Sequence, residues 1–157
     1  MALQYKFIKV FESGQLALSE RPKIKEIKRL KTDRCDRIVS ILSGRGEHAQ
    51  RLGSEVESQG MQWTWVKVST ANHPSTTEKI LLRNASLLVR EALQLGEFVL
   101  IHCSAGLHRT GILAYCVLRN GGLSHDESLD LMCMMRKKTT LALEDKYLEL
   151  ANQLMLG

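Results

Sequence analysis

The sequence predicts an α/β fold, a central and mostly parallel sheet flanked by helices, and three observations carry that prediction. Short apolar runs of strand length alternate along the chain with longer segments of helical periodicity, which is how parallel sheets with covering helices are written. Two Ser-x-x-Glu sequences, Ser75/Glu78 and Ser124/Glu127, stand where helical patterns begin and form capping boxes. Finally, Phe98-Val99-Leu100-Ile101 runs without a polar interruption, as a strand buried on both faces does, and passes through a short loop into the apolar helical pattern Ile112–Leu118.

In chain order, Tyr5 to Phe11 alternates and reads as a strand, Ser13-Gly14 as a turn, and Leu16-Ala17-Leu18 as a second short strand. Pro22 suits the first turn of a helix whose apolar face holds Ile24, Ile27 and Leu30, with Lys23, Lys25, Lys28, Arg29 and Lys31 as a solvated face. Arg37 to Leu42 is a buried strand. Glu47 to Ser58 is a helix ended by Gly60, with Gly53 a weak point. Met61 to Val68 is a strand carrying Trp63 and Trp65, and Ser69 to Pro74 is a loop. A long helix runs from Ser75 to Gly96 and precedes the Phe98 strand. Beyond Gly121-Gly122 come a helix through Met135, a basic loop Arg136–Thr140 and a final amphipathic helix, Leu143 to Met155.

The chain has 157 residues, enough for a sizeable core, and residues 1–157 read as one domain. Its 44% hydrophobic and 25% charged content is ordinary for a globular protein, and no apolar run is long enough to cross a membrane. Residues 1–11 lack the apolar block of a signal peptide, and the four cysteines (Cys35, Cys103, Cys116, Cys133) show no metal-ligand spacing. A cytoplasmic setting with reduced thiols is the simplest expectation, with no metal and no organic cofactor. Cys116 and Cys133 read as helix core residues, and a disulfide between Cys35 and Cys103 has no positive support. The net charge of +5 favours anionic partners without naming one.

The chemistry concentrates in His102-Cys103-Ser104-Ala105-Gly106-Leu107-His108-Arg109-Thr110-Gly111. A loop that wraps into a helix N-terminus turns backbone N–H groups inward and adds the positive end of the helix dipole, so it binds an anion. The same field stabilises a thiolate, which makes Cys103 a nucleophile. Arg109 offers a planar fork matched to two phosphate oxygens. Gly106 permits positive φ or close backbone approach, and Thr110 supplies a hydroxyl for the cysteine sulfur. An anion held beside an activated thiolate suits nucleophilic displacement at phosphorus.

This His-Cys-x5-Arg-Thr-Gly stretch resembles the signature of the cysteine-dependent protein tyrosine phosphatases, including the dual-specificity group; His102, Cys103, Gly106, Arg109, Thr110 and Gly111 all match, and His108 departs from the Gly that many members carry. The resemblance implies a phosphatase that forms a cysteinyl-phosphate. Its phosphate-binding loop would be Ser104, Ala105, Gly106, Leu107, His108 and Arg109, with Cys103, Arg109 and Thr110 catalytic and His102 supporting the loop. The substrate would be a phosphorylated protein or peptide. His108 would point to the pocket rim, where a cation would aid phosphate binding, or to solvent.

The family's general-acid Asp is missing. The loop that should carry it reads Ser69-Thr70-Ala71-Asn72-His73-Pro74-Ser75, and no Asp occurs between Asp36 and Asp126. Asn72 has the shape of Asp without its proton, His73 could act when protonated, and Glu78 is better explained as a cap. Three accounts stay open: an Asp-to-Asn change at Asn72, an acid from elsewhere such as Asp126 or Asp145, or a leaving group that needs no proton. The last fits an RNA 5′-triphosphatase of the same superfamily. A poorly active module that traps phosphoprotein is the third reading.

Overall fold

In a computed structural model that describes residues 2–156, five strands form one sheet: β1 (Ile8–Val10), β2 (Gly14–Ser19), β3 (Arg37–Ile41), β4 (Gln62–Val66) and β5 (Phe98–His102). They lie in the order β1-β2-β5-β3-β4. Only the β1–β2 hairpin is antiparallel; β2, β5, β3 and β4 are parallel to their neighbours, with Leu18 opposite Ile101, Ile38 opposite Leu100 and Ser40 opposite His102. The uninterrupted apolar run of the last strand has the place its composition demands. β5 sits between β2 and β3, and Val99 through His102 are all buried.

Helices cover both faces. A 3-10 turn at Ile24–Glu26 leads into α1 (Ile27–Thr32), which packs with α2 (Ala49–Ser58) on one face, where Ile27, Leu30, Leu52 and Val56 meet Ala17, Ile38 and Leu100. On the other face α3 (Thr76–Gln94), α4 (His108–Asn120), α5 (His125–Met135) and α7 (Asp145–Leu156) enclose Leu16, Leu18, Val39, Ile41, Val99 and Ile101. The alternation along each strand sends adjacent residues to opposite cores. α4 is the innermost helix: every residue from Thr110 to Leu118 is buried.

Both capping boxes form as their spacing predicts, Glu78 N–H donating to Ser75 Oγ and Glu127 N–H to Ser124 Oγ, each at 3.1 Å. Four expectations are corrected. The first strand is only Ile8–Val10, because Tyr5 and Phe7 turn their rings into an aromatic cluster and Phe11 adopts φ +57°. The segment expected as a basic loop is a short helix, α6 (Lys137–Leu141), anchored by buried Thr139. Glu47 precedes α2 instead of opening it. Cys133 is exposed, so it is no core residue, while Cys116 is buried. Cys35 lies against Phe98 at the start of β5 and Cys103 follows its end, so the two thiols stand at opposite ends of the sheet and are free. Among the described residues no helix is long and apolar enough to cross a membrane, and no three His, Cys, Asp or Glu side chains gather as a metal site.

Candidate active site

Parallel sheets bind ligands beyond the carboxyl ends of their strands, and β5 delivers Cys103 to that edge. Cys103 is 3% exposed, and the buried Thr110 hydroxyl on α4 donates to its Sγ at 3.1 Å. Between β5 and α4 the chain makes a tight loop, and the structure shows what holds its shape. Gly106 has φ +70°, and a Cβ there would stand 2.2 Å from the Ser19 carbonyl oxygen, so only glycine fits between the loop and β2.

Four successive carbonyls, from Cys103 to Gly106, are drawn outward. The Cys103 carbonyl accepts from His102 Nδ1 at 2.9 Å, and that of Ser104 from the Arg21 N–H at 2.9 Å. The Ala105 and Gly106 carbonyls accept from the Arg136 guanidinium at 3.1 and 2.8 Å, and Gly106 also from the Thr139 hydroxyl at 2.6 Å. In a trans peptide the N–H points opposite to the C=O, and no peptide bond in the described chain is cis. The amides of Ser104, Ala105, Gly106 and Leu107 therefore face the concave side, which makes the loop a cradle of hydrogen-bond donors.

His102 is held by a chain of hydrogen bonds that fixes its tautomer. A carbonyl only accepts, so Nδ1 carries the proton donated to Cys103. Nε2 then accepts from Ser40 Oγ at 2.6 Å, and Ser40 in turn accepts from the Trp63 indole N–H at 2.9 Å. Burial holds the imidazole neutral by pushing its pKa down to about 4. Trp63 lies over Gly53 of α2, where a Cβ would come within 2.3 Å of the ring, so the weak point in the helix pattern is a seat for the indole.

Arg109 is brought to the same end of the sheet and is paired. Its guanidinium donates to Glu47 Oε1 at 3.1 Å and Oε2 at 3.3 Å, to the Val68 carbonyl at 2.9 Å and to Ser104 Oγ at 3.3 Å. Glu47 also accepts from the Ser104 hydroxyl and from the Ser43 N–H. Its carboxyl is held down at about 2 against the cost of burial by Arg109 and these donors, so it stays ionised. Glu47 was not legible as a site residue. The only signal was an acid close beyond the carboxyl end of a strand, in Gly44-Arg45-Gly46-Glu47.

A pocket of about 250 Å³ opens above Cys103 and is walled by Ser69–Asn72 and by Cys103, Ser104, Ala105, Leu107, His108 and Arg109. Asn72 lines both this pocket and the adjoining groove toward α7. His73, in the left-handed region at φ +52°, lines that groove with Lys146 and Tyr147 and does not line the cysteine pocket. His108 stands in the pocket wall with its ring stacked on Tyr147 at 4.5 Å between centroids, and the Tyr147 hydroxyl donates to Asn72 Oδ1 at 3.2 Å. Glu78 is occupied as a cap and by Ser69, whose N–H and hydroxyl both donate to it, and these bonds hold its carboxyl below the ordinary range although burial opposes them. Asp126 and Asp145 do not line the pocket. Arg136, expected on a free basic loop, is bound to the loop carbonyls. Lys137 and Lys138 line a separate groove with Lys6 and Glu20.

Comparison with known proteins agrees with this fold. Solved structures share the fold across nearly the whole chain. Tk-PTP in its active form is 21% identical, with 94% of this chain and 95% of that chain covered and a TM-score of 0.70. Kinase associated phosphatase, in a form with its catalytic cysteine replaced by serine, is 16% identical, with 98% and 93% covered and a TM-score of 0.73. The core catalytic domain of the PP-IP phosphatase SIW14 from S. cerevisiae, in complex with citrate, is 19% identical, with 94% and 84% covered and a TM-score of 0.65. No curated protein sequence matches the chain. A family model described as "Tyrosine phosphatase family" matches residues 19–130, a span that holds β3 to β5, the Cys103 loop and α4, and by that match the chain belongs to the tyrosine phosphatase family of cysteine phosphatases.

Proposed function

We propose that the protein hydrolyses phosphomonoesters on proteins, phosphotyrosine foremost, through a phosphocysteine at Cys103. The observation that carries this reading is the placement of one buried thiol, with the Thr110 hydroxyl on its sulfur, at the floor of a cradle of inward amides. The four carbonyls tied outward support the cradle, and the pocket's opening to solvent leaves room for a side chain entering with its phosphate.

In this reading the amides of Ser104 to Arg109 hold the three non-bridging oxygens and stabilise the charge that spreads over them as the sulfur attacks. Arg109, kept in orientation by Glu47, binds two of those oxygens. Thr110 stabilises the thiolate before attack and after the phosphocysteine is hydrolysed. His102, locked neutral, does not exchange protons during turnover; it fixes the Cys103 carbonyl and with it the direction of the sulfur.

The test is phosphate release from a phosphotyrosine peptide. We expect release by the parent protein and none by Cys103→Ser or Arg109→Ala with the fold retained by circular dichroism. Release that persists in Cys103→Ser would refute the nucleophile. A parent inactive on the peptide but releasing the γ-phosphate of triphosphate-ended RNA would replace the protein substrate with RNA. A parent that binds the peptide and does not turn it over would make the protein a trap.

A further inference from the structure

The pocket above Cys103 is walled by alcohols, amides, one imidazole and one guanidinium, and by no carboxyl group. The carboxylates bonded to its walls are both anions with their oxygens occupied, Glu47 by Arg109, Ser43 and Ser104, and Glu78 by Ser69 and Ser75. Neither has a proton to give near neutral pH. Asn72 stands in the wall that the cysteine pocket shares with the adjoining groove, and its side chain is oriented by a partner on another element. Tyr147 of α7 is 3% exposed and stacked on His108, and its hydroxyl takes up Asn72 Oδ1. With the carbonyl end claimed, the end left for a ligand is the NH2, which has no partner among the described residues. An amide NH2 donates a hydrogen bond to a departing oxygen but cannot protonate it.

We infer that Asn72, positioned by Tyr147, makes this site select substrates by how readily the leaving oxygen departs as an anion: phosphotyrosine is turned over, and the phosphate esters of serine and threonine are bound without being cleaved. The inference rests on the reading of Cys103 as nucleophile. In the step, the Cys103 thiolate forms the S–P bond as the P–O bond breaks. The leaving oxygen departs as a phenolate, hydrogen-bonded to the Asn72 amide, and takes its proton from water. Water then attacks the phosphocysteine, phosphate leaves and the thiolate is restored. A phenolate departs from a group of pKa about 10. An alkoxide is a base about as strong as hydroxide, and without a positioned acid its departure forgoes a factor of about 10² to 10⁴.

The experiment compares aryl phosphates whose phenols span pKa about 7 to about 10 with phosphotyrosine and phosphoserine peptides of one sequence, for the parent, Asn72→Asp, Tyr147→Phe, His108→Ala and Cys103→Ser. We expect the parent's kcat/KM to fall by about 100-fold across the aryl series, on the scale of a missing general acid. The phosphoserine peptide should act as a competitive inhibitor that releases no phosphate. Asn72→Asp should flatten the series, raise the phosphotyrosine rate by at least about 100-fold and add a limb to the pH profile that requires a protonated carboxyl. Tyr147→Phe, which frees the amide to rotate, should lower kcat on phosphotyrosine with little change in KM. Cys103-dependent release with a flat aryl series, comparable turnover of phosphoserine, or no gain in Asn72→Asp would overturn the inference and leave the nucleophile standing. So would an acid limb that disappears in His108→Ala, because the wall imidazole would then be the missing acid. Aryl phosphate release that is independent of Cys103 would overturn both readings.

Discussion

Glu47 sits 62 residues from Arg109 and touches no substrate in the proposed mechanism, yet its removal has a calculable effect. Replacement by Gln keeps the size of the side chain and turns one carboxylate oxygen into an NH2 against the guanidinium. The carboxyl has an ordinary pKa of 4.5 and is held at about 2 in the folded protein. At about 1.4 kcal/mol per pH unit that difference is worth about 3 kcal/mol. Glu47 is 21% exposed and Arg109 12%, and solvent screening at that depth reduces the expected contribution to about 2 kcal/mol. Because the folded value lies below the unfolded one, the contribution is fully present above pH 4.5 and is lost as the pH falls through about 2. Urea unfolding should therefore show Glu47→Gln less stable by about 2 kcal/mol at pH 7. The gap should narrow to less than half at pH 3. Phosphate release at pH 7 should drop by about tenfold as the arginine fork loses its orientation. A stability gap of equal size at pH 7 and pH 3 would refute the argument, since it would mean that Glu47 acts through shape and neutral hydrogen bonds.

The remaining predictions concern the loop and its supports. His102 is neutral in the fold down to about 4 and would titrate near 6.5 when unfolded, so stability should fall as the pH drops from 6.5 through 4; His102→Asn should flatten that stretch of the stability–pH curve, which lies above the Glu47 window. Gly106→Ala drives a Cβ into the Ser19 carbonyl at positive φ, and we expect a loss of about 1–3 kcal/mol by thermal unfolding and at least about 100-fold in phosphate release as the cradle shifts. Arg136→Ala removes the donor to two loop carbonyls while Thr139 still holds one of them, so orthophosphate affinity by calorimetry should weaken by about tenfold with the fold intact.

Most elements and the local chemistry were legible in the sequence, though not α6 or the short extent of β1. The apolar run ending in His102-Cys103, the glycine three residues on and the helix opening at His108 are legible because strand burial, loop geometry and helix start each depend on neighbours a few residues away. The two capping boxes and the parallel α/β class were legible for the same reason. Tertiary structure alone decided which distant residues serve the loop. Strand order β1-β2-β5-β3-β4 makes β3 a neighbour of β5, and only that pairing puts Ser40 against His102, with Trp63 of the next strand behind it, and brings Glu47, just beyond β3, to Arg109. Arg136 reads as one more basic residue until α5 and α6 turn it onto the loop carbonyls. Asn72 and His73 are adjacent, and the sequence offers both as acid-loop positions. In the fold Asn72, its carbonyl oxygen held by the Tyr147 hydroxyl on α7, borders both the cysteine pocket and the groove beside it, whereas His73, with its left-handed backbone, borders the groove and not the pocket. Periodicity and propensity report on the chain within a turn or two of each residue, whereas these partners are fixed by which strands and helices come to lie side by side.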